Sequence, residues 1–316
     1  MKNEIQNYPL LPITKTDYNS LSKCIIFLII SSILQSIGSV FIKYLINTYT
    51  IDFNIMLFFL LRSLTIILLD FSYLFTNNLP IIKFNELPHK KWIILKGNLK
   101  FFSIFSFCFS LYYMRCFSAQ SINTLIPVVV IILSFLFLNV QLSPKKISIC
   151  LLCTIGVLFI LINDYKNEYN YVINKALISG LIWSLLSLMS YSLLVLIKNK
   201  VDFSNINYHI HSIYHQCLVF VYSLLYLILT FKKVKFNFGF AIFSLLHGVN
   251  FFAMRFFTSL SMGNPDIKKY GFLNSLKILY VLGFCYILGE QIFYSDFIGT
   301  GIIISILIYD SASQRV

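Results

Sequence analysis

Charge is what this chain has least of. Asp, Glu, Lys and Arg make up 12% of its 316 residues, against the ~25% of an ordinary soluble domain. Acidic side chains are scarcest, 12 against 25 basic ones. That composition excludes a cytosolic globular enzyme, a disordered tail and a small secreted scaffold. The seven cysteines sit mostly inside apolar runs, where a thiol behaves as a small hydrophobe. Cys150-Leu151-Leu152-Cys153 has CxxC spacing, but no second pair or histidine cluster accompanies it, so neither a disulfide framework nor a zinc site is expected. The sequence has no P-loop, so ATP hydrolysis is not expected, and no cofactor is expected. Residues 1–22 lack the basic-then-apolar layout of a signal peptide and read as a polar cytoplasmic segment.

What fills the chain is apolar: 58% hydrophobic residues and a mean hydropathy of +0.80. One transmembrane helix with its connection takes about 30 residues, so the length accommodates about ten spans and no soluble catalytic domain. Apolar runs bounded by charge or turn residues place these at about 23–45, 53–76, 93–114, 118–139, 146–163, 174–197, 209–231, 239–260, 266–289 and 292–310. The fold class is therefore an all-α polytopic membrane protein. Its net charge of +13 reads as lysines facing lipid headgroups, with no nucleic-acid partner expected. Loop cations such as Lys2, Lys15, Lys83, Lys90, Lys145 and Lys268 put both termini on the cytoplasmic side. The cluster Lys232, Lys233 and Lys235 opposes that orientation.

The two halves repeat weakly. An offset of about 150 residues lays Leu138-Asn139-Val140-Gln141 on Leu288-Gly289-Glu290-Gln291, and Leu95-Lys96-Gly97-Asn98 near Leu246-His247-Gly248-Val249. Five spans per half is an odd number, so the second unit (174–310) enters the membrane inverted relative to the first (23–163). Inverted repeats of this kind generate a site near the midplane that can open to either side.

Four motifs then resemble the drug/metabolite transporter superfamily, in particular its EamA-type ten-span members. They are Phe59-Leu60-Leu61-Arg62-Ser63; Leu95-Lys96-Gly97; Tyr112-Tyr113-Met114-Arg115-Cys116-Phe117-Ser118-Ala119 followed by Ile126-Pro127; and Leu288-Gly289-Glu290 with Ile298-Gly299 and Ile302-Ile303. The chain departs from the family pattern at Asn139-Val140, where Gly-Glu is usual, and at Lys96, where arginine is usual. Lys277, in Asn274-Ser275-Leu276-Lys277, is similar to the basic residue of the nucleotide-sugar and triose-phosphate branch. The resemblance implies a secondary transporter moving a small organic metabolite by alternating access, without chemistry. An amino acid, a nucleotide-linked sugar, an adenosyl compound or another organic anion would fit that family.

Charges inside the spans carry the functional reading, because each costs roughly 2.5–3.5 kcal/mol near the bilayer centre and is usually turned inward and used. Arg62 lies about ten residues into span 2, Lys277 is central in span 9, and Arg255 lies in span 8. Asp70 is the one acidic residue comparably inside a span and the candidate coupling or charge partner. It sits eight residues past Arg62, about 80° round the helix, too far for a close pair. Cations outnumber anions, which predicts a positive aqueous cavity selecting carboxylate, phosphate or sulfate. Arg62 alternatively serves a structural ion pair or caps broken-helix carbonyls. Arg255 alternatively reaches headgroups or pairs with Asp70. His215 and His247 are candidates to line the cavity and carry a coupling proton. Tyr280, one turn from Lys277, is a candidate stacking surface.

Several polar groups read instead as interface or packing residues. Lys43, Lys96 and Lys100 are expected to snorkel to the membrane surface. His209 and His211 are expected at the interface, and Tyr73 in its aromatic belt. His211 and His215 have i, i+4 spacing but no third ligand, so no metal is expected. Gly38, Gly97, Gly248, Gly271 and Gly283 are expected to allow close helix approach. Two other classes fit the composition: a non-transporting membrane scaffold or regulator, and a lipid-modifying membrane enzyme using a pair such as His215 and Asp70.

Overall fold

A computed structural model describes residues 21–49, 54–79, 89–138, 143–166, 171–200, 208–230, 237–261 and 276–313. The N-terminal segment, Tyr270, Gly271, the Lys232–Lys235 cluster and Asn139-Val140 lie outside the described residues. Every described element is helical: α1 (Leu21–Thr48), α2 (Ile55–Thr76), α3 (Lys90–Tyr113), α4 (Cys116–Asn123), α5 (Ile126–Leu138), α6 (Pro144–Lys166), α7 (Tyr171–Lys200), α8 (Tyr208–Thr230), α9 (Phe238–Ser261), α10 (Lys277–Ile287) and α11 (Tyr294–Ser313).

Among the described residues, eight helical stretches are long and apolar enough to cross a membrane, counting α4 and α5 together as Cys116–Leu138. Two apolar helices, Lys277–Ile287 and Tyr294–Tyr309, are shorter. Helices suit such sequence because every backbone group finds its partner within the segment, which lipid demands. The run expected as one span over 118–139 is broken between α4 and α5. Thr124 and Leu125 donate their N–H groups to the carbonyls of Ser121 and Ile122 at 3.0 Å each, tightening the turn just before Pro127, which has no N–H to give.

Burial is inverted relative to a soluble protein. Leu68, Phe75, Phe137, Leu151, Ile228 and Leu229 are exposed, while Ser32, Ser36, Ser103, Ser121, Ser187 and Ser244 are buried. Hydroxyls tolerate that position because they bond within their own helix: Ser36 to the Ser32 carbonyl at 2.9 Å, Ser121 to Phe117 at 2.7 Å, Ser244 to Phe240 at 2.7 Å. Small polar residues between helices with greasy side chains outside is the pattern of a bundle immersed in lipid. The chain is a multi-pass integral membrane protein.

Helix pairing follows a regular scheme. α3 packs along α7 and α1 along α9; α2 packs on α8 and α9, and α8 also on α3; α5 packs on α7 and α10 on α1; α6 and α11 pair with each other. Glycines set two of these approaches. A Cβ at Gly248 would lie 3.0 Å from the Arg62 carbonyl on α2, and one at Gly299 would lie 2.4 Å from the Gly156 carbonyl on α6. Gly38 and Gly97 also face neighbouring side chains, whereas Gly283 meets nothing within 4 Å, so its expected packing role is corrected.

One end of the bundle is tied by polar contacts across the two halves. α10 stops at Gly289, whose φ of +77° favours glycine. There the Glu290 N–H bonds the Cys285 carbonyl at 2.9 Å and the Gly289 N–H bonds Tyr286 at 3.0 Å, a Schellman ending. That turn aims the Glu290 carboxylate at the start of α4, where it accepts from the Cys116 N–H at 2.6 Å and the Phe117 N–H at 3.3 Å. Beside it, Arg115 bonds Asp296 on α11 at 2.9 and 3.3 Å and the Gln291 carbonyl at 2.8 Å, and pairs through Nε with Asp164 on α6. Burial opposes the Arg115 charge, but Asp296 and Asp164 outweigh it and push its pKa up. Burial in turn lifts the Asp164 carboxyl above its usual range against the pull of Arg115.

Glu290→Gln keeps one acceptor for the α4 N-terminus but loses the charge that complements its helix dipole. The expected cost is about 1 kcal/mol, read as a lower thermal midpoint of the purified protein in detergent micelles.

Candidate functional site

The charged side chains converge because each helix presents its polar residues on one stripe. Lys96 and Lys100 are four apart on α3, His211 and His215 four apart on α8, and His247, Phe251 and Arg255 follow at four-residue steps on α9. Residues at i and i+4 share a helix face. α2 brings Arg62 and Asp70, and packs against both α8 and α9.

Phe251 is the centre of this arrangement. The Arg62 guanidinium stands over its ring at 4.1 Å from the centroid, Lys100 Nζ at 5.6 Å and the Arg255 guanidinium at 5.8 Å. Three cations thus face one aromatic ring from three helices. Arg62 is 3% exposed. Among the described residues no carboxylate pairs with it, and its Nε is buried without a hydrogen-bond partner. A structural ion pair for Arg62 is therefore absent among the described residues.

A second group lies beside the first. Asp70, 2% exposed, bonds His209 Nδ1 through Oδ1 at 2.7 Å and accepts from the Ser212 hydroxyl through Oδ2. Arg255 Nη1 donates to the same Ser212 hydroxyl and lies 3.9 Å from Asp70 Oδ2, while its Nε donates to Tyr208 Oη at 3.1 Å. Of the alternatives open for Arg255, the neighbourhood of Asp70 is the one observed. His209 is buried and stacks on Tyr73, ring to ring at 4.1 Å, so its imidazole turns inward to Asp70 and not out to headgroups.

Lys96 is likewise not a surface anchor. It is buried, with Nζ 3.0 Å from His211 Nε2, and the His211 ring meets His215 edge-on at 4.0 Å. Lys43 donates to the carbonyls of Leu111 and Met114 at 2.7 and 3.0 Å, closing the C-terminal end of α3 where the helix dipole favours a cation.

The remaining expected residues stand apart. Lys277, 8% exposed, opens α10, and its backbone carbonyl accepts from Ser36 on α1 at 3.0 Å. Among the described residues no carboxylate pairs with it. Tyr280 is half-buried one turn on, with no ring contact to Lys277 among the described residues. His247 packs edge-on to Phe58 at 5.0 Å, and among the described residues His215 Nε2 is buried with no hydrogen-bond partner. Phe251, Tyr208 and Ser212 carried no sign in the sequence, and Lys100, expected as a surface anchor, instead faces the Phe251 ring. The i, i+4 stripe of Lys96 and Lys100 was the signal available.

Comparisons with known proteins agree with this architecture. A crystal structure described only as that of a protein superposes with a TM-score of 0.65 at 14% identity, covering 93% of this chain and 98% of that one, which shows a shared fold. Over 85 residues the chain is 34% identical to the Saccharomyces cerevisiae "Probable transport protein YPL264C"; the match takes in 27% of this chain and 24% of the yeast protein. Residues 22–162, which run from α1 into α6, match the model of the EamA-like transporter family. The similarity to the EamA-like transporter family thus extends over a little under half of the chain.

Proposed function

We propose that the protein is a secondary transporter that carries a small organic anion across a membrane by alternating access between two inverted five-helix units, with both termini cytoplasmic. The observation that carries this reading is the convergence of Arg62, Lys100 and Arg255 on the Phe251 ring. Three cations repel one another in a low-dielectric interior, and among the described residues Asp70 is the one acidic residue inside the eight apolar stretches long enough to cross a membrane, Asp164 lying past the end of its stretch at Ile162. An anion entering between them relieves that repulsion and gains charge-assisted hydrogen bonds.

The pairing scheme supports the inverted repeat. Exchanging the members of the two halves in order (α1 for α7, α2 for α8, α3 for α9, α4–α5 for α10, α6 for α11) turns the α3–α7 contact into α9–α1. The same exchange turns α2–α9 into α8–α3 and α5–α7 into α10–α1, all of which occur. The contacts α2–α8 and α6–α11 map onto themselves. A pseudo-two-fold of this form supports a shared site between the halves, near where α2 packs on α8 and α9. The family model covering residues 22–162 also corresponds to one such unit.

The test uses purified protein in micelles with phosphate, pyrophosphate, succinate and sulfate, followed by uptake of the strongest binder into proteoliposomes. Thermal stabilisation by at least one of the four is expected. Arg62→Gln weakens its binding by about 1.5–3 kcal/mol, roughly 10- to 100-fold, and suppresses uptake while the variant still inserts and folds. Lys277→Gln tests in the same assay whether the outlying cation belongs to the transport path. No stabilisation by any of the four anions, together with uptake of neutral or cationic solutes, removes the anion reading.

A further inference from the structure

We propose that the cargo carries a compact head group with two negative charges, and that Arg62 and Lys100 are the pair of residues that selects for the second charge. The proposal rests on the anion site around Phe251.

The buried cations differ in what holds them. Arg255 is committed: its Nη1 donates to the Ser212 hydroxyl and lies 3.9 Å from Asp70 Oδ2, and its Nε donates to Tyr208 Oη at 3.1 Å. Lys96 Nζ is 3.0 Å from His211 Nε2, and Lys43 donates to the carbonyls of Leu111 and Met114. Arg62 and Lys100 have no such partners. Among the described residues no hydrogen bond or ion pair holds either side chain, and Arg62 Nε is buried with nothing to accept from it. Both turn to the Phe251 ring, Arg62 at 4.1 Å and Lys100 at 5.6 Å from its centroid. The negative face of a ring attracts a cation but takes up few of its N–H groups, and a guanidinium and an ammonium are rich in donors. Two unused donor sets are therefore gathered at one ring, where a single compact group reaches both.

Charge decides which anions gain from that arrangement. Taking an anion out of water costs more as its charge grows, and the attraction of buried cations must repay the cost. One unpaired cation answers one charge. A dianion needs two, and α2 and α3 supply them in Arg62 and Lys100. A monoanion in the same place leaves one buried cation without a counter-charge, which is expensive in a low-dielectric interior. Arg255, 5.8 Å from the same centroid, adds its field, but its donors are occupied and its charge is already answered by Asp70. Lys277 opens α10, which packs on α1 and α4, and it is not one of the pair.

The experiment is calorimetry on the full-length protein at about pH 8, where a phosphate monoester has lost its second proton, with methyl phosphate and dimethyl phosphate as the two probes. Both have a tetrahedral head and they differ by one charge. Sulfate and methyl sulfate repeat the comparison. In each pair the dianion is expected to bind at least about tenfold more tightly. Lys100→Gln is expected to bring that ratio down to about one, and Lys100→Arg, which keeps the charge, is expected to retain it. Lys277→Gln is expected to leave it unchanged. If Lys100→Gln does not fold, Arg62→Gln supplies the same reading. Equal affinities in the unmodified protein, or a preference for the monoanion, overturn the assignment and leave the anion site standing. A ratio that survives the loss of either cation, or that disappears in Lys277→Gln, also overturns it. Failure of all four probes to bind removes the anion site and its charge selectivity together.

Discussion

Arg115→Met is expected to cost the folded protein about 3–5 kcal/mol, the penalty for stranding buried charge by removing its partner. The guanidinium makes two bonds to Asp296, pairs with Asp164, bonds the Gln291 carbonyl and lies 4.8 Å from the Phe293 ring centroid. Asp296 is 0% exposed and Asp164 7%, so neither carboxylate has water to turn to. The loss depends on pH with a definite sign. Without Arg115, burial acts unopposed on Asp164 and holds its folded pKa further above the unfolded value. The penalty is then fully present above that folded pKa and fades as pH falls and the carboxyl takes up a proton. Thermal unfolding in micelles should therefore show the variant gaining on the parent at acid pH. Adding Asp164→Asn and Asp296→Asn to Arg115→Met should recover most of the loss at neutral pH. A loss that is independent of pH and unrelieved by the two asparagines would assign Arg115 a packing role instead.

Most of the fold was legible because lipid leaves few choices. Scarce charge and long apolar runs dictated helices, and the motifs that resemble the family's have physical reasons in the structure. Gly289 gives α10 its left-handed ending, Glu290 caps α4, and Gly299 meets the Gly156 backbone. The α4–α5 break was harder to read, because Thr124 and Pro127 sit in a run as apolar as its neighbours.

The site was legible in part. Arg62, Arg255 and Asp70 stood out because an ionised side chain deep in a span is costly wherever it points. Lys43, Lys96 and Lys100 were misplaced because distance along the chain from a span end does not say which way a flexible four-carbon stem turns. Lys96 turns inward to His211, and Lys43 to the carbonyls of α3. Phe251 carried no signal among 32 phenylalanines; its significance comes only from the cations gathered on it, Arg62 and Lys100 from other helices and Arg255 from one turn along its own. The histidine beside Asp70 was hidden for the same reason, since His209 is 139 residues away in sequence.

Gly299→Val should be the most damaging substitution that leaves every charge in place. α6 and α11 pair with each other, and the contact is set where Gly299 meets Gly156. A Cβ at Gly299 would sit 2.4 Å from the Gly156 carbonyl oxygen and 2.7 Å from Ile160 Cγ1. A side chain can rotate out of such a clash, but a backbone carbonyl cannot, so the two helices must separate along their length. In lipid there is little hydrophobic force to draw them back, because acyl chains solvate the exposed faces as well as leucine does. The cost should reach the upper end of the range for overpacking, about 3 kcal/mol. Gly301 is the internal control: it lies two residues on in the same helix and meets nothing within 4 Å. Gly301→Val carries the same change in helix propensity and should be close to neutral. A thermal midpoint that falls by several degrees in Gly299→Val and stays put in Gly301→Val identifies the crossing. Equal shifts in the two would mean that α6 and α11 are held by their flanking side chains, not by the glycine contact.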